Sequence, residues 1–385
     1  MNRAVFGLLT LVLATAVSVH ADWQTLAPMS AARIDAIVAV DEQGGLYVIG
    51  GSDDSSYLDS VEHYSPATGW ESLAGVPHPI AQADAIYHGG KIFIAGGFDG
   101  TALSSELLIY DIGANTWSTG SSAPVALYGS SFEQVGDLFY LVGGADASDT
   151  SQPTCFEYDP VGDAWQEKAV MGHARRYHGS AVVEGKLYVF GGIDDATPPP
   201  NYLASAEVYD PEQDAWSDIA EMPVTFWGGS SGAVDGAPWA CHGLQDSEPS
   251  ALCWSYDVAG DAWSAAASAA EARFHVASGV FPLFAVGGLQ QTEAGYRPSD
   301  IVEQYGEAPV DDDTVDDDTV DDDVIDDDTV DDDATDDDLA DDDTLDDDQT
   351  PDDDITDDDA APDDDAADDD HANSESGDDN AGCGC

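Results

Sequence analysis

Between residues 22 and 306 short apolar runs alternate with clusters of Gly, Asp, Pro and Ser, and the patterning has the period of strands. One stretch can be read strand by strand. Residues 177–183 are small and apolar, which suits a buried inner strand, and Glu184-Gly185 makes a tight turn. Residues 186–190 form an apolar strand that ends at Gly191-Gly192. A polar loop leads to a third strand at 206–209, residues 210–214 turn the chain, and Trp216 opens an outer strand.

This unit recurs. Trp stands at 23, 70, 117, 165, 216 and 263, at intervals of 47, 47, 48, 51 and 47 residues. Tyr stands at 64, 110, 158, 209, 256 and 305, and each of the first five precedes a Trp by six or seven residues. Glycine doublets close a strand at 50–51, 96–97, 143–144, 191–192 and 287–288, and His242-Gly243 replaces the doublet in the fifth unit. Four strands in each unit of about 45–50 residues predict the blade of a β-propeller, whose faces only neighbouring blades can cover. The chain starts on an outer-strand Trp and ends the pattern on a third-strand Tyr. The expectation is therefore an all-β, six-bladed propeller in which the N-terminal segment 22–26 completes the last blade and leaves no open edge.

The doublets, the turns Tyr158-Asp159-Pro160 and Tyr209-Asp210-Pro211, and the spaced Trp residues together resemble the Kelch repeat family over residues 22–306. The expected domains are a secretory leader at 1–21, a Kelch-type propeller at 22–308 and a disordered acidic tail at 309–385. The leader expectation rests on Arg3, the apolar run 6–19 and the small residues Val19 and Ala21 before a cut ahead of Asp22. It places the protein outside a bacterial cell, secreted or on its surface, with no transmembrane segment.

Charge sharpens the picture. The net charge is −70, of which the tail from residue 311 carries −39, leaving −31 on the rest. No clustered positive charge is available to displace the counterions of a nucleic acid. The tail repeats Asp-Asp-Asp plus two spacers in twelve triplets, cannot form a core, and reads as an extended spacer. Its carboxylates suit weak, multi-site Ca2+ association, and no cofactor is required. Its end, Cys383-Gly384-Cys385, resembles the C-terminal surface-sorting tails of exported bacterial proteins and implies attachment through Cys383 or Cys385.

Cys241 and Cys253 fall on adjacent antiparallel strands. Either they bridge, closing a loop of about 12 residues for ~3 kcal/mol, or they remain two buried thiols. Cys155, in the matching place two units earlier, reads as a small buried hydrophobe.

Propeller ligands meet the channel mouth, where inner strands begin. The candidates there are Arg33, Asp35, Gln82, Asp84, Tyr128, Arg176, His178, Trp227, Arg273 and His275. Arg-x-(Asp/His) occurs in three units, offering carboxylate forks beside aromatic faces for a sugar or an acidic small molecule. Arg at this place is also an ordinary feature of Kelch repeats, pairing with neighbouring blades. Gly228-Gly229-Ser230-Ser231-Gly232 matches the text of a hydrolase elbow, but it lies in a predicted strand and not at a strand–helix turn. There is no HExxH, phosphate loop or zinc-type Cys array. The leading reading is a binding or display module for a glycan or protein, without catalysis. Two alternatives stand beside it. The architecture also resembles exported bacterial sialic-acid mutarotases, which would imply that Arg176, Arg273 and His178 handle an acidic sugar. The other is a Ca2+-dependent structural role at the surface.

Overall fold

The computed structural model describes residues 22–53, 55–195, 199–279 and 283–306. The expected leader and tail, with Cys383 and Cys385, lie outside the described residues. Every regular element among the described residues is a β-strand. Six four-stranded antiparallel sheets dominate, here numbered I to VI. Their inner strands are Ile37–Val40, Asp84–His88, Tyr128–Val135, Gly179–Val183, Ser230–Val234 and Ala277–Gly279. Each inner strand pairs with the next strand in sequence, and neighbouring inner strands pack on each other in the cyclic order I to VI and back to I. Sheet VI takes its outer strand, Trp23–Thr25, from the other end of the sequence, paired with Val302–Tyr305.

The repeated aromatics explain the packing. In every sheet the third-strand Tyr lies directly opposite the outer-strand Trp, from Tyr64 and Trp70 to Tyr305 and Trp23. Each Trp indole N–H donates to a backbone carbonyl in the linker after the preceding sheet: Trp70 to Ala27, Trp117 to Ala74, Trp165 to Ser121, Trp216 to Ala169, Trp263 to Ala220 and Trp23 to Ala267. In sheets II to V a turn residue completes the latch. Asn115, Asp163, Asp214 and Asp261 each accept the Tyr hydroxyl of their own sheet and the N–H of that same linker residue. The apolar core is divided accordingly into clusters shared by adjacent sheets, such as Ile37, Tyr47, Ile92 and Tyr110 between I and II.

The glycine doublets give the chain close approach. A Cβ on Gly192, at φ +99°, would lie 2.9 Å from the Arg176 carbonyl oxygen. In sheet V the doublet's first place holds His242 at φ +60°, and Cys241 beside it forms a disulfide with Cys253. Cys155 is buried in sheet III.

Candidate functional site

The mouth is organised by a ring of backbone hydrogen bonds. Just ahead of the six inner strands stand Asp35, Gln82, Gly129, Tyr177, Gly228 and His275, all at φ between +50° and +63°. The Gln82 N–H donates to the Asp35 carbonyl (3.0 Å), Gly129 to Gln82 (2.8 Å), Tyr177 to Gly129 (2.8 Å) and Gly228 to Tyr177 (2.9 Å). Val276 then donates to Gly228 (3.1 Å), and Asp35 donates to His275 (3.3 Å), which returns the series to its start. The left-handed conformation that turns each N–H toward its neighbour is strained for a Tyr, and such strain gathers at functional sites.

This ring fixes the true equivalences and corrects the expected ones. Tyr177, not His178, occupies the place of Asp35 and His275, so the counterpart of Arg33 and Arg273 is Arg175 and not Arg176. Arg33, Arg175 and Arg273 are each 0 % exposed and do not face the mouth. They pair inside sheets I, IV and VI with Glu62, Glu207 (2.6 Å) and Glu303 (2.5 Å). Those glutamates also accept linker N–H groups from Ser30, Gly172 and Ala270. In sheets II, III and V the same two places hold Ile80 and Leu108, Leu127 and Phe156, and Phe226 and Trp254. Arg33 and Arg273 are thus interior ion pairs, and the expected carboxylate forks do not form from them.

Arg176 does reach the mouth, where its charge is already matched. Its guanidinium bonds Asp149, Asp195 (2.6 Å) and the Tyr128 hydroxyl, and lies over the Tyr128 ring at 5.3 Å. Around it the short strands above the main sheets carry a row of rings. Tyr202 stacks on Trp227 (6.1 Å), Trp227 meets Phe274 (6.1 Å), and Phe274 meets Tyr296 (5.2 Å). Tyr202 and Tyr296, at the two ends of the row, are 41 % and 46 % exposed. The Tyr177 ring lies toward the axis, against Trp227 (6.2 Å) and His275 (5.3 Å). His275 Nδ1 sits 2.6 Å from Asp35 Oδ1. Burial works against the imidazolium, but the Asp35 carboxylate outweighs it and raises the pKa of His275.

Behind the mouth a cavity of about 700 Å3 runs along the inner strands. Asp84 accepts the N–H groups of Phe132 and Ala85, each at 2.9 Å. Glu133 accepts the Ser180 hydroxyl (2.7 Å), and the Ser180 N–H donates to Ser231 Oγ (3.0 Å). Ser131 Oγ and His178 Nε2 are hydrogen-bonded at 3.0 Å. Burial pushes Asp84 up to about 6. Burial and the nearby Asp84 charge push Glu133 up to about 8. Burial, reinforced by the Arg175 charge, pushes His178 down to about 3, so it is neutral at physiological pH. Arg176, Arg273 and His178 are therefore not assembled into one acidic-sugar site: one is at the mouth, one is inside sheet VI and one is in the channel.

Ser230 has the composition of a hydrolytic site around it but not the access. His242 Nδ1 lies 2.9 Å from Ser230 Oγ, and His242 Nε2 lies 3.1 Å from Glu303 Oε2. All three residues are 0 % exposed, and Glu303 is also held by Arg273. A nucleophile with no path to substrate cannot attack one. This chain of bonds instead joins sheet V to sheet VI, with His242 packed edge-on against Trp23 at 5.4 Å.

Sheets of this form and order define a β-propeller, and Kelch-repeat models match part of it. The KLHDC2/KLHL20/DRC7 Kelch-repeats domain model matches residues 12–192, and the Kelch motif model matches residues 174–223. Kelch-like protein 36 of Bos taurus is 32 % identical over 219 residues, covering 54 % of this chain and 35 % of its own. Kelch-like protein 15 of Danio rerio is 29 % identical over 228 residues, covering 52 % and 37 %. The chain thus spans little more than a third of the length of these curated relatives. A solved structure titled "Structure of YjhT" aligns with TM-score 0.60 and 14 % identity over 72 % of this chain and 95 % of its own, a likeness of fold.

Proposed function

We propose that this chain is an exported, six-bladed Kelch propeller closed by its N-terminal strand, and that it acts as a binding module for a neutral glycan. The observation that carries this reading is the row Tyr202, Trp227, Phe274 and Tyr296 beside the acidic loops of the mouth. Aromatic faces stack on the apolar faces of sugar rings, and carboxylates accept the hydroxyl hydrogens around them. Arg176 is spent on Asp149 and Asp195, which disfavours an acidic sugar and favours a neutral one. In this reading residues 309–385 form an extended spacer, weakly associated with Ca2+ and attached to the surface through Cys383 or Cys385.

The test is a glycan array probed with the full chain and with Trp227→Ala and Tyr202→Ala. Selective binding to neutral glycans, weakened at least tenfold in both variants, is the expected result. Binding that ignores both substitutions would remove the aromatic row from the site. No binding to any glycan would move the reading to a protein ligand.

A further inference from the structure

The channel has a chemistry of its own, apart from the aromatic row. Its lining includes five carboxylates, those of Asp35, Asp41, Glu42, Asp84 and Glu133, and no Lys or Arg. Two of them, Asp84 and Glu133, project from the adjacent inner strands of sheets II and III, and neither makes an ion pair among the described residues. Burial keeps a proton on such groups, on Glu133 up to about pH 8, and a cation brought in from solution would favour the ionised carboxylates and release that proton.

Apolar side chains line the same cavity: Val38 and Val40 from sheet I, next to sheet II, and Val276 and Ala277 from sheet VI. The polar lining also keeps unused capacity. Ser130 lines the cavity at 8 % exposure, and its hydroxyl has no hydrogen-bond partner. A volume of about 700 Å3 is that of a small-molecule site. The carboxylates ask for a positive charge and these apolar side chains for hydrocarbon.

We infer that the channel binds an alkylammonium ligand, with its ammonium group against Glu133 and Asp84 and its hydrocarbon stem against Val38, Val40 and Ala277. A free amine and a basic side chain inserted by a partner share this chemistry. The net negative charge of the chain concentrates either one at the opening.

The experiment is isothermal titration of the full chain at ~0.15 M salt, where charges exposed to solvent are screened beyond about 8 Å. The probes are n-pentylammonium and its neutral counterpart 1-pentanol. Expected is one saturable site that binds pentylammonium at least tenfold tighter than pentanol. Glu133→Gln and Asp84→Asn should each weaken pentylammonium at least tenfold, with Asp149→Asn at the mouth unchanged. Equal affinity for the two probes in the wild-type chain, or no saturable binding, overturns the inference without reference to any variant. Unchanged binding in a Glu133→Gln chain that melts no lower than wild type also overturns it. Trp227→Ala should leave this titration unaltered, so its failure and that of the glycan reading are separable. To distinguish the sources, an Nα-acetyl-lysine amide probe that matches pentylammonium points to an inserted side chain, and one excluded from the site points to a free amine.

Discussion

Arg175 and Glu207 meet 2.6 Å apart in the interior of sheet IV, with neither exposed beyond 1 %. Sheets II, III and V fill the same two places with apolar pairs such as Leu127 and Phe156. The fold therefore accepts either solution, and the ion pair is not required for its shape. Removing one partner is different, because the other charge is left buried and alone. Glu207→Leu should destabilise the chain by about 3–5 kcal/mol in urea unfolding, whereas Arg175→Leu/Glu207→Phe should recover most of that loss. A double variant no better than the single would show that the linker N–H bonds of Glu207 matter more than its charge.

The latch between sheets gives a second expectation. Asp214 accepts the Tyr209 hydroxyl at 2.7 Å and the Ala169 N–H at 2.9 Å. In sheet II the same duty falls to a neutral amide, Asn115. Asp214→Asn should thus leave the melting temperature nearly unchanged. Asp214→Ala should lower the melting temperature, since the Tyr209 hydroxyl and the Ala169 N–H both lose their acceptor. The comparison of the two melts separates hydrogen bonding from charge.

Glu133 sets a pH dependence whose sign is fixed. Its folded-state pKa is raised from 4.5 to about 8, so the folded chain holds a proton that the unfolded chain releases. Stability is unaffected below about 4.5, falls as pH rises, and levels off above about 8. Glu133→Gln removes this contribution and should be more stable than wild type at pH 8–9, with the advantage vanishing near pH 4. Denaturant midpoints across this range check it, and a constant difference between the two chains would contradict it.

Burial raises the Cys155 thiol to about 12, and thiolate is the reactive form. Iodoacetamide at neutral pH should leave Cys155 unlabelled in the folded chain and label it on unfolding, as read by peptide mass spectrometry. Rapid labelling of Cys155 under native conditions would contradict its place in the core of sheet III.

The all-β character and the repeat were legible because Tyr and Trp serve one contact in every unit, so their spacing survives wherever the loops differ. The interior arginines were less legible. Two adjacent residues, Arg175 and Arg176, both fit the local pattern, and only the backbone turn at Tyr177 shows that Arg175 is the counterpart of Arg33 and Arg273. A signal was present: Glu stands two residues before the third-strand Tyr only in the units of Arg33, Arg175 and Arg273. Asp84, His178 and Trp227 were named as candidates, and the structure puts the first two in the channel and the third in the aromatic row. Glu133, Ser180 and Tyr177 were missed. Which inner-strand side chains face the axis depends on how six sheets are set around it, and no local pattern encodes that. The row from Tyr202 to Tyr296 was missed because its members belong to loops of differing length.

The backbone ring through Asp35, Gln82, Gly129, Tyr177, Gly228 and His275 has a mechanical consequence. Each link is shared by two sheets, so no sheet can swing outward without breaking bonds on both sides. The aperture cannot dilate locally in the way a loop lid opens. Whatever enters at this end must fit an aperture of set width, bordered by the ring of Tyr177 where it packs against Trp227 and His275.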